Sequence, residues 1–448
     1  MKEGNIKEPH TSLCKSMLSP HNIGLAVQNV KRNNGSAGVD GLHVAELDHY
    51  MRDSWARIEE QILARTYKPQ PVRRVEIPKD NGGVRLLGVP CVIDRVIQQA
   101  MVQVLQPLFE PTFSEFSYGF RPGRGAEDAV RKAQEYMNEG YSHVVDLDLS
   151  KFFDKVNHDY LMSQVDRTLE DKDIRRLIFV YLKSGVVTEG CFIETEEGTP
   201  QGGPLSPLLS NIYLTPYDKE LERRGHKFVR YADDCNIFTK SKYSCKRVKE
   251  SVIRFLEGKM KLKVNMEKTE ARRAVGSSFL GFTFFRYNGK MQCKPKPSKI
   301  EKFKNSIRLL TSRKKGVSVE NMINRLNIYL RGWINYYARS TFSRWIQDIA
   351  GWIRRRVRQF VWKLWKKPNA RKEHFRKLGV SEYQMDRIYC WSSNRYWIIS
   401  KFLGSILTSA IIHEKLGLLN LEKVYKQLHH FRMEKDEAYY SQKMFIFS

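Results

Sequence analysis

The sequence predicts an α+β chain in which a mixed N-terminal two thirds, built around antiparallel sheet, is followed by a nearly all-helical C-terminal third. Three observations carry that expectation. Alternating apolar stretches such as His143–Leu149 and Phe228–Thr239 are interspersed with long segments of helical periodicity up to about residue 290. From Ser298 onward the periodicity is almost entirely helical, with Trp and Arg interleaved. The charge is also divided: residues 291–448 hold 33 Lys and Arg against 11 Asp and Glu, a net of +22 out of +28 for the whole chain.

Taken in order, the first forty residues read as helix up to a Gly-rich bend at Gly35–Gly41. Val75–Pro78 and Val84–Leu87, separated by Lys79-Asp80-Asn81-Gly82-Gly83, read as a hairpin. Pro90 precedes a strong helical pattern in which Ile93, Val96, Ile97, Ala100, Met101, Val104 and Leu105 recur at three- and four-residue steps. In His143–Leu149, Val144, Asp146 and Asp148 share one strand face, and Phe228–Thr239 reads as strand, turn, strand. The stretch Lys290–Lys299, with its prolines and lysines, reads as a linker, and a softer break lies near Lys366–Asn369. The predicted divisions are therefore 1–290, 291–368 and 369–448, within the two to four domains that 448 residues imply at about 100–200 each.

Composition removes several function classes. A hydrophobic fraction of 41% is ample for folded cores. No apolar run reaches the roughly 18–20 residues of a membrane span, and the charged opening Met1–His10 lacks the apolar core of a secretory signal. Seven cysteines without C-x-x-C spacing argue against a disulfide framework or a structural zinc site, and suggest a reducing, cytoplasmic setting. A net charge of +28 points to a polyanionic partner, nucleic acid above all.

Tyr231-Ala232-Asp233-Asp234 is the central motif. Two adjacent acids at a bend between Phe228-Val229 and Ile237-Phe238 repel each other unless a cation neutralises them. Magnesium does so, binding one or two carboxylates and leaving the rest of its octahedral shell to water and phosphate. A solvated Asp-Asp turn is the plainer reading of this motif alone. Asp148, at the end of another strand, supplies a third acid, so that two metals roughly 4 Å apart could be held. Asp146, on the same face, is the rival ligand, and Asp154 reads as structural, an N-cap.

A set of ordered blocks resembles the reverse transcriptases encoded by bacterial group II introns. The blocks are Arg85–Pro90 with Asp94-Arg95, Phe116–Gly123, Asp148 with Phe152-Phe153-Asp154, Thr199–Pro207, Tyr231–Asp234, Asn265 with Lys268-Thr269, and Phe279–Phe282. Asn327–Tyr337 resembles the thumb, or maturase, signature of that family. The resemblance implies a right-hand polymerase fold with fingers and palm over 1–290, a thumb/maturase domain over 291–368 and a DNA-binding segment over 369–448. The tail Leu419–Ser448 is too short for the zinc-dependent endonuclease of many members, so the compact, IIC-like class is expected, with another source of primer.

Carried over to this chain, the resemblance implies that Asp148, Asp233 and Asp234 are catalytic and hold two Mg²⁺ ions, with Leu149 among the metal ligands. Phe153 would be the steric gate against a 2′-hydroxyl, with Phe152 as its substitute. Lys79 and Arg85 would grip the dNTP triphosphate, Gln201 and Gly202 would approach the incoming base pair, and Lys268 would stand near the pyrophosphate. Tyr118, Arg121 and Pro122 would meet the template. In the basic end, Trp345, Ile349, Trp352 and Val357 read as core. Arg331, Arg354, Arg355, Arg356, Arg358, Lys363, Lys366 and Lys367 read as RNA-facing.

The expected activity is RNA-directed DNA synthesis, together with binding of group II intron RNA to assist splicing and retromobility in a bacterial cytoplasm. The expected partners are intron RNA, an RNA template with DNA primer, dNTPs and a DNA target, without a membrane. Oligomeric state is not readable from the sequence. Two alternatives stay open: a maturase that only assists splicing, and a stand-alone enzyme with a host repair or defence role.

Overall fold

A computed structural model describes residues 12–78, 83–188, 191–194, 197–199, 202–314, 316–386, 388 and 396–446, with backbone only at Arg85, 396–398 and 439–446. The chain forms two compact units, Met1–Ala274 and Val275–Ser448.

In the first unit, strands β1 (Val72–Pro78) and β2 (Val84–Val89) form the predicted antiparallel hairpin, with Pro78 opposite Val84. Strand β3 (His143–Leu147) belongs to a second sheet. β4 (Val186–Thr188) runs parallel to β1, and β5 (Cys191–Ile193) closes the first sheet in the order β2-β1-β4-β5. The helix predicted after Pro90 spans Val92–Phe109, and most of its apolar side chains are buried. That burial follows from its three- and four-residue apolar spacing.

The second sheet positions the candidate site. It comprises β3, β6 (Lys227–Tyr231), β7 (Asp234–Thr239) and β8 (Glu270–Arg273), in the order β6-β7-β3-β8, all antiparallel. Strand alternation divides its faces. Val145, Leu147, Cys235 and Ile237 join a core that includes Leu208, Ile212 and Tyr213 of helix Ser206–Arg223 and Val248, Val252 and Leu256 of helix Lys242–Lys259. Asp146 and Asn236, opposite each other in register, lie on the other face.

The second unit opens with β9 (Ser278–Phe279), β10 (Phe282–Tyr287) and β11 (Lys290–Pro295), ordered β11-β10-β9. The predicted linker over 290–299 is therefore corrected. Its first half is a strand pairing with β10, and its second half opens the helix Pro297–Leu310. Met291, Cys293 and Pro295 are buried at period two, a pattern the intervening lysines obscure. The units divide at Ala274–Val275, ahead of the predicted 290/291, because β9 and β10 pair with β11 rather than with the second sheet.

Helices Val319–Tyr337, Ser343–Leu364, Pro368–Lys377 and Leu421–Ile446 follow, with shorter ones between the last two. Ile349 and Val357 are buried as expected, with Trp345 and Trp352 packed against the same core. One hydrophobic core includes residues from Phe303 to Tyr425, so both sides of the predicted 368/369 division share it. Among the described residues, no helix is long and apolar enough to cross a membrane.

Candidate active site

The register of the second sheet brings the predicted acids together. Leu147 pairs with Cys235 and Asp146 with Asn236, so Asp148, one step beyond β3, continues the register opposite Asp234, the first residue of β7. Tyr231 pairs with Asp234, which leaves a two-residue turn, Ala232-Asp233, with Ala232 at φ +56°. Asp148, Asp233 and Asp234 thus lie at the same end of this sheet.

Asp148 is held from the segment that leads into β8. Its Oδ2 accepts from Asn265 Nδ2 at 3.1 Å and lies 3.4 Å from Lys268 Nζ. Its carbonyl accepts from Asn265 N at 2.9 Å, and Leu149 forms a bridge with Val264. Leu149's side chain is buried in the core, so only its carbonyl could reach a cation.

Asp146 resolves differently. Its carboxylate is paired with the Arg272 guanidinium on β8. Burial raises the Asp146 carboxyl above its ordinary range against the pull of Arg272. Asp234 is raised well above its ordinary range, first by burial and then by the charges of Asp146, Asp233 and Asp148.

Among the described residues, no group of three or more His, Cys, Asp or Glu is close enough to form a ready-made metal site. The donor set nonetheless fits a hard divalent cation. It offers carboxylate oxygens, on opposed strand ends, with the half-buried Asp234 under the influence of three others of like charge. The neighbouring Asn236 side chain is fully buried, and neither amide atom has a hydrogen-bond partner.

The remaining predicted residues divide. Phe152 is packed in the core against Tyr213, whereas Phe153, in edge contact with Phe152 at 5.2 Å, is the slightly more exposed ring. The Phe153 carbonyl accepts from Thr199 N at 2.6 Å, which ties it to the loop leading to residue 202. Gly202, at φ +131°, leaves only 2.2 Å between a hypothetical Cβ and the Gly88 carbonyl of β2, so that only glycine fits this approach. Lys79, Gln201 and the Arg85 side chain lie outside the described residues. Asp154 does not cap a helix. Asn157 does, accepting from Tyr160 N at 2.9 Å.

One expectation is corrected. Arg121 does not face a template: it is buried, pairs with Glu110 at 2.7 Å and donates to the carbonyls of Ser114 and Ser117. Pro122 is exposed, and Tyr118, beneath the Arg124 guanidinium, donates its backbone N–H to the Arg230 carbonyl. In the second unit, the arginines of the belt are half-buried, and each also bonds within the fold. Arg354 pairs with Glu422 at 3.0 Å, Arg355 donates to Ser400 Oγ at 3.1 Å, Arg356 to Thr311 Oγ1 at 3.0 Å and Arg358 to the Leu407 carbonyl at 2.8 Å. These side chains tie neighbouring segments to the helix Ser343–Leu364. Arg331, Lys366 and Lys367 are exposed, and Lys363 is half-buried.

Sequence reasoning missed the support of the turn. Arg230, Asp218 and Asn211 are buried beneath it, and Gly119 packs against its backbone. Phe120, within the block Phe116–Gly123, is an exposed ring at φ +59° whose centroid lies 6.3 Å from that of Tyr231.

The chain matches the family described as reverse transcriptase (RNA-dependent DNA polymerase) over residues 77–284. It also matches the group II intron maturase-specific domain over 300–379. It is 34% identical to Protein YkfC of Escherichia coli over 288 residues, covering 56% of this chain and 76% of that protein. The chain belongs to the bacterial group II intron reverse transcriptase and maturase family. Its enzyme class is that of an RNA-directed DNA polymerase. Another relative, the group II intron-encoded protein LtrA of Lactococcus lactis, is 30% identical over 330 residues, covering 59% of this chain and 55% of LtrA. The chain thus spans about half the length of LtrA. A solved partial Cas6-RT-Cas1–Cas2 complex matches with a TM-score of 0.36 at 24% identity, covering 56% of this chain and 43% of that chain. The reverse-transcriptase match contains Asp148, Asp233 and Asp234, and the maturase match contains Arg331, Arg354, Arg355, Arg358 and Lys363.

Proposed function

We propose that the chain extends a DNA primer on an RNA template by two-metal nucleotidyl transfer from dNTPs, and that it also binds group II intron RNA to assist splicing and retromobility. The observation that carries this reading is the register that sets Asp148 opposite Asp234, with Asp233 beside it in the turn that joins β6 to β7. Asp148, Asp233 and Asp234, with the Leu149 carbonyl, would hold two Mg²⁺ ions. Such ions lower the pKa of an attacking 3′-hydroxyl and neutralise charge on the leaving pyrophosphate.

The chain's own side chains supply the rest. Asn265 and Lys268 orient Asp148, and the exposed Lys268 ammonium offers donors to a phosphate group. Lys79 and Arg85 bind the triphosphate, Phe153 forms the wall against a 2′-hydroxyl, and Gln201 and Gly202 bring backbone to the nascent base pair. Tyr118 and Pro122 border the template. The exposed Arg331, with Lys363, Lys366 and Lys367, contributes to RNA affinity through phosphate contacts. The DNA target is engaged by residues 369–448, and the chain works in the bacterial cytoplasm.

Primer extension on an RNA template with dNTPs and Mg²⁺, run beside a splicing assay with group II intron RNA, tests both halves. Long cDNA together with accelerated splicing is expected. Tight RNA binding and accelerated splicing without cDNA would replace this reading with a splicing-only maturase.

A further inference from the structure

The turn bearing Asp233 rests on an ion pair that neither metal nor nucleotide binding requires. Arg230, on β6, is buried together with Asp218 of the helix Ser206–Arg223, at 1% and 0% exposure. The pair is bidentate: Arg230 Nε donates to Asp218 Oδ1 at 2.7 Å and Nη2 to Oδ2 at 2.6 Å. The third nitrogen, Nη1, donates to the Ala232 carbonyl at 2.9 Å and to Asn211 Oδ1 at 3.1 Å. Asn211 Nδ2 in turn donates to the Gly119 carbonyl at 2.9 Å. Gly119 lies so close to the turn that a Cβ there would stand 2.4 Å from Ala232 N.

The geometry gives this network a purpose beyond packing. The Ala232 carbonyl belongs to the peptide that joins Ala232 to Asp233. Fixing that oxygen restrains the peptide plane from which the Asp233 Cα departs, and so the position from which its side chain starts. Ala232 has φ +56°, a conformation L-residues rarely hold, so the plane needs an external restraint. A planar guanidinium with several donors can clamp Asp218 and hold two further acceptors at once, which an ammonium cannot. Packing alone does not call for a buried ion pair, since well-packed apolar residues of similar volume are often as stable or more so.

We propose that Asp218, Arg230 and Asn211 are positioning residues that set the orientation of the Ala232–Asp233 peptide and thereby aim Asp233 for catalysis. This rests on the polymerase reading of the site.

The test uses the full chain and three variants: the isosteric double variant Asp218→Leu/Arg230→Met, Arg230→Lys, and Asn211→Ala. Single-turnover nucleotide incorporation, dNTP KM, template–primer Kd by fluorescence anisotropy and melting temperature are measured for each. The double variant is expected to stay folded and keep its template–primer Kd, with a lower melting temperature because the Ala232 carbonyl and Asn211 Oδ1 lose their donor, while its incorporation rate falls ~100-fold, the size of effect that a displacement of about 1 Å produces. Arg230→Lys, which keeps the charge opposite Asp218, should fail to restore the rate, and Asn211→Ala should lose ~10-fold through looser orientation of Arg230.

A double variant that incorporates at the wild-type rate would overturn the proposal, as would full rescue by Arg230→Lys. If the double variant does not fold, Asn211→Ala, which leaves the ion pair intact, decides, and a wild-type rate there overturns it. Absence of incorporation by the wild type would instead remove the polymerase reading itself.

Discussion

Replacing Gly119 with alanine adds one methyl group at the back of the catalytic turn. Gly119 has an ordinary φ, so alanine meets no backbone penalty and the effect is steric. The new Cβ would lie 2.4 Å from Ala232 N, 3.0 Å from the Tyr231 carbonyl carbon and 3.2 Å from Ala232 Cα, all backbone atoms. Ordinary contact begins near 3.4 Å, so the turn or the 116–121 segment must yield by about 1 Å. Asn211 and the pairing with Arg230 hold the 116–118 side, and Arg230 holds the Ala232 carbonyl, so the added methyl strains the network on both sides and shifts the turn with it. A displacement of that size at a reacting centre costs on the order of 100-fold in rate. Overpacking costs about 1–3 kcal/mol of stability, a modest drop in melting temperature. Single-turnover incorporation at saturating dNTP, with template–primer Kd measured in parallel, reads this directly. Gly24→Ala, in a helix with open space around the new methyl, serves as the control and should be unchanged. Incorporation by Gly119→Ala within about 3-fold of wild type would refute the claim that the turn's position controls the rate.

Three further outcomes are expected. Phe153→Ala should admit ribonucleotides, read as a rise in rNTP incorporation relative to dNTP; unchanged discrimination would move the gate to Phe152 or elsewhere. Gly202→Ala, which needs φ +131° and drives a methyl into the Gly88 carbonyl, should raise dNTP KM by more than about tenfold, and an unaltered KM would exclude that loop from the nucleotide site. Asp94, buried and accepting from Tyr67 Oη, Tyr181 Oη and Gln70 N, is pushed up to about 6, first by burial. A folded pKa above the unfolded one means that its contribution is fully present below about pH 4 and is lost as pH rises through about 6. The ionised form costs on the order of 3 kcal/mol, so the stability difference between wild type and Asp94→Asn should vary between pH 4 and 7, and a pH-independent difference in melting temperature would contradict it.

Much of the fold was readable because it rests on local periodicity. The hairpin of β1 and β2, the helix after Pro90 and the strands around Tyr231–Asp234 carry their patterns in a few consecutive residues. β11 escaped because Lys290 and Lys294 occupy the outward positions between buried Met291, Cys293 and Pro295, so composition resembled a linker. Among the site residues, Asp146 and Asp148 were equivalent on one strand face, and only Arg272, more than a hundred residues later, separates them. The partners of Arg121, Arg354 and Arg358 were hidden for a related reason. The arginine charge is local, but the carbonyl or carboxylate that absorbs it is set by tertiary packing. Asp218, inside a helix, and Arg230, inside a strand, carry no signal of their pairing until the chain folds.

Asp148, Asp233 and Asp234 are proposed to carry DNA synthesis together. The most direct measurement is single-nucleotide incorporation on an RNA template by the wild type and by Asp233→Asn, with template–primer affinity determined on the same samples. Incorporation by the wild type and none by the variant, at equal affinity, is expected. Incorporation by the variant at a rate near wild type would contradict it.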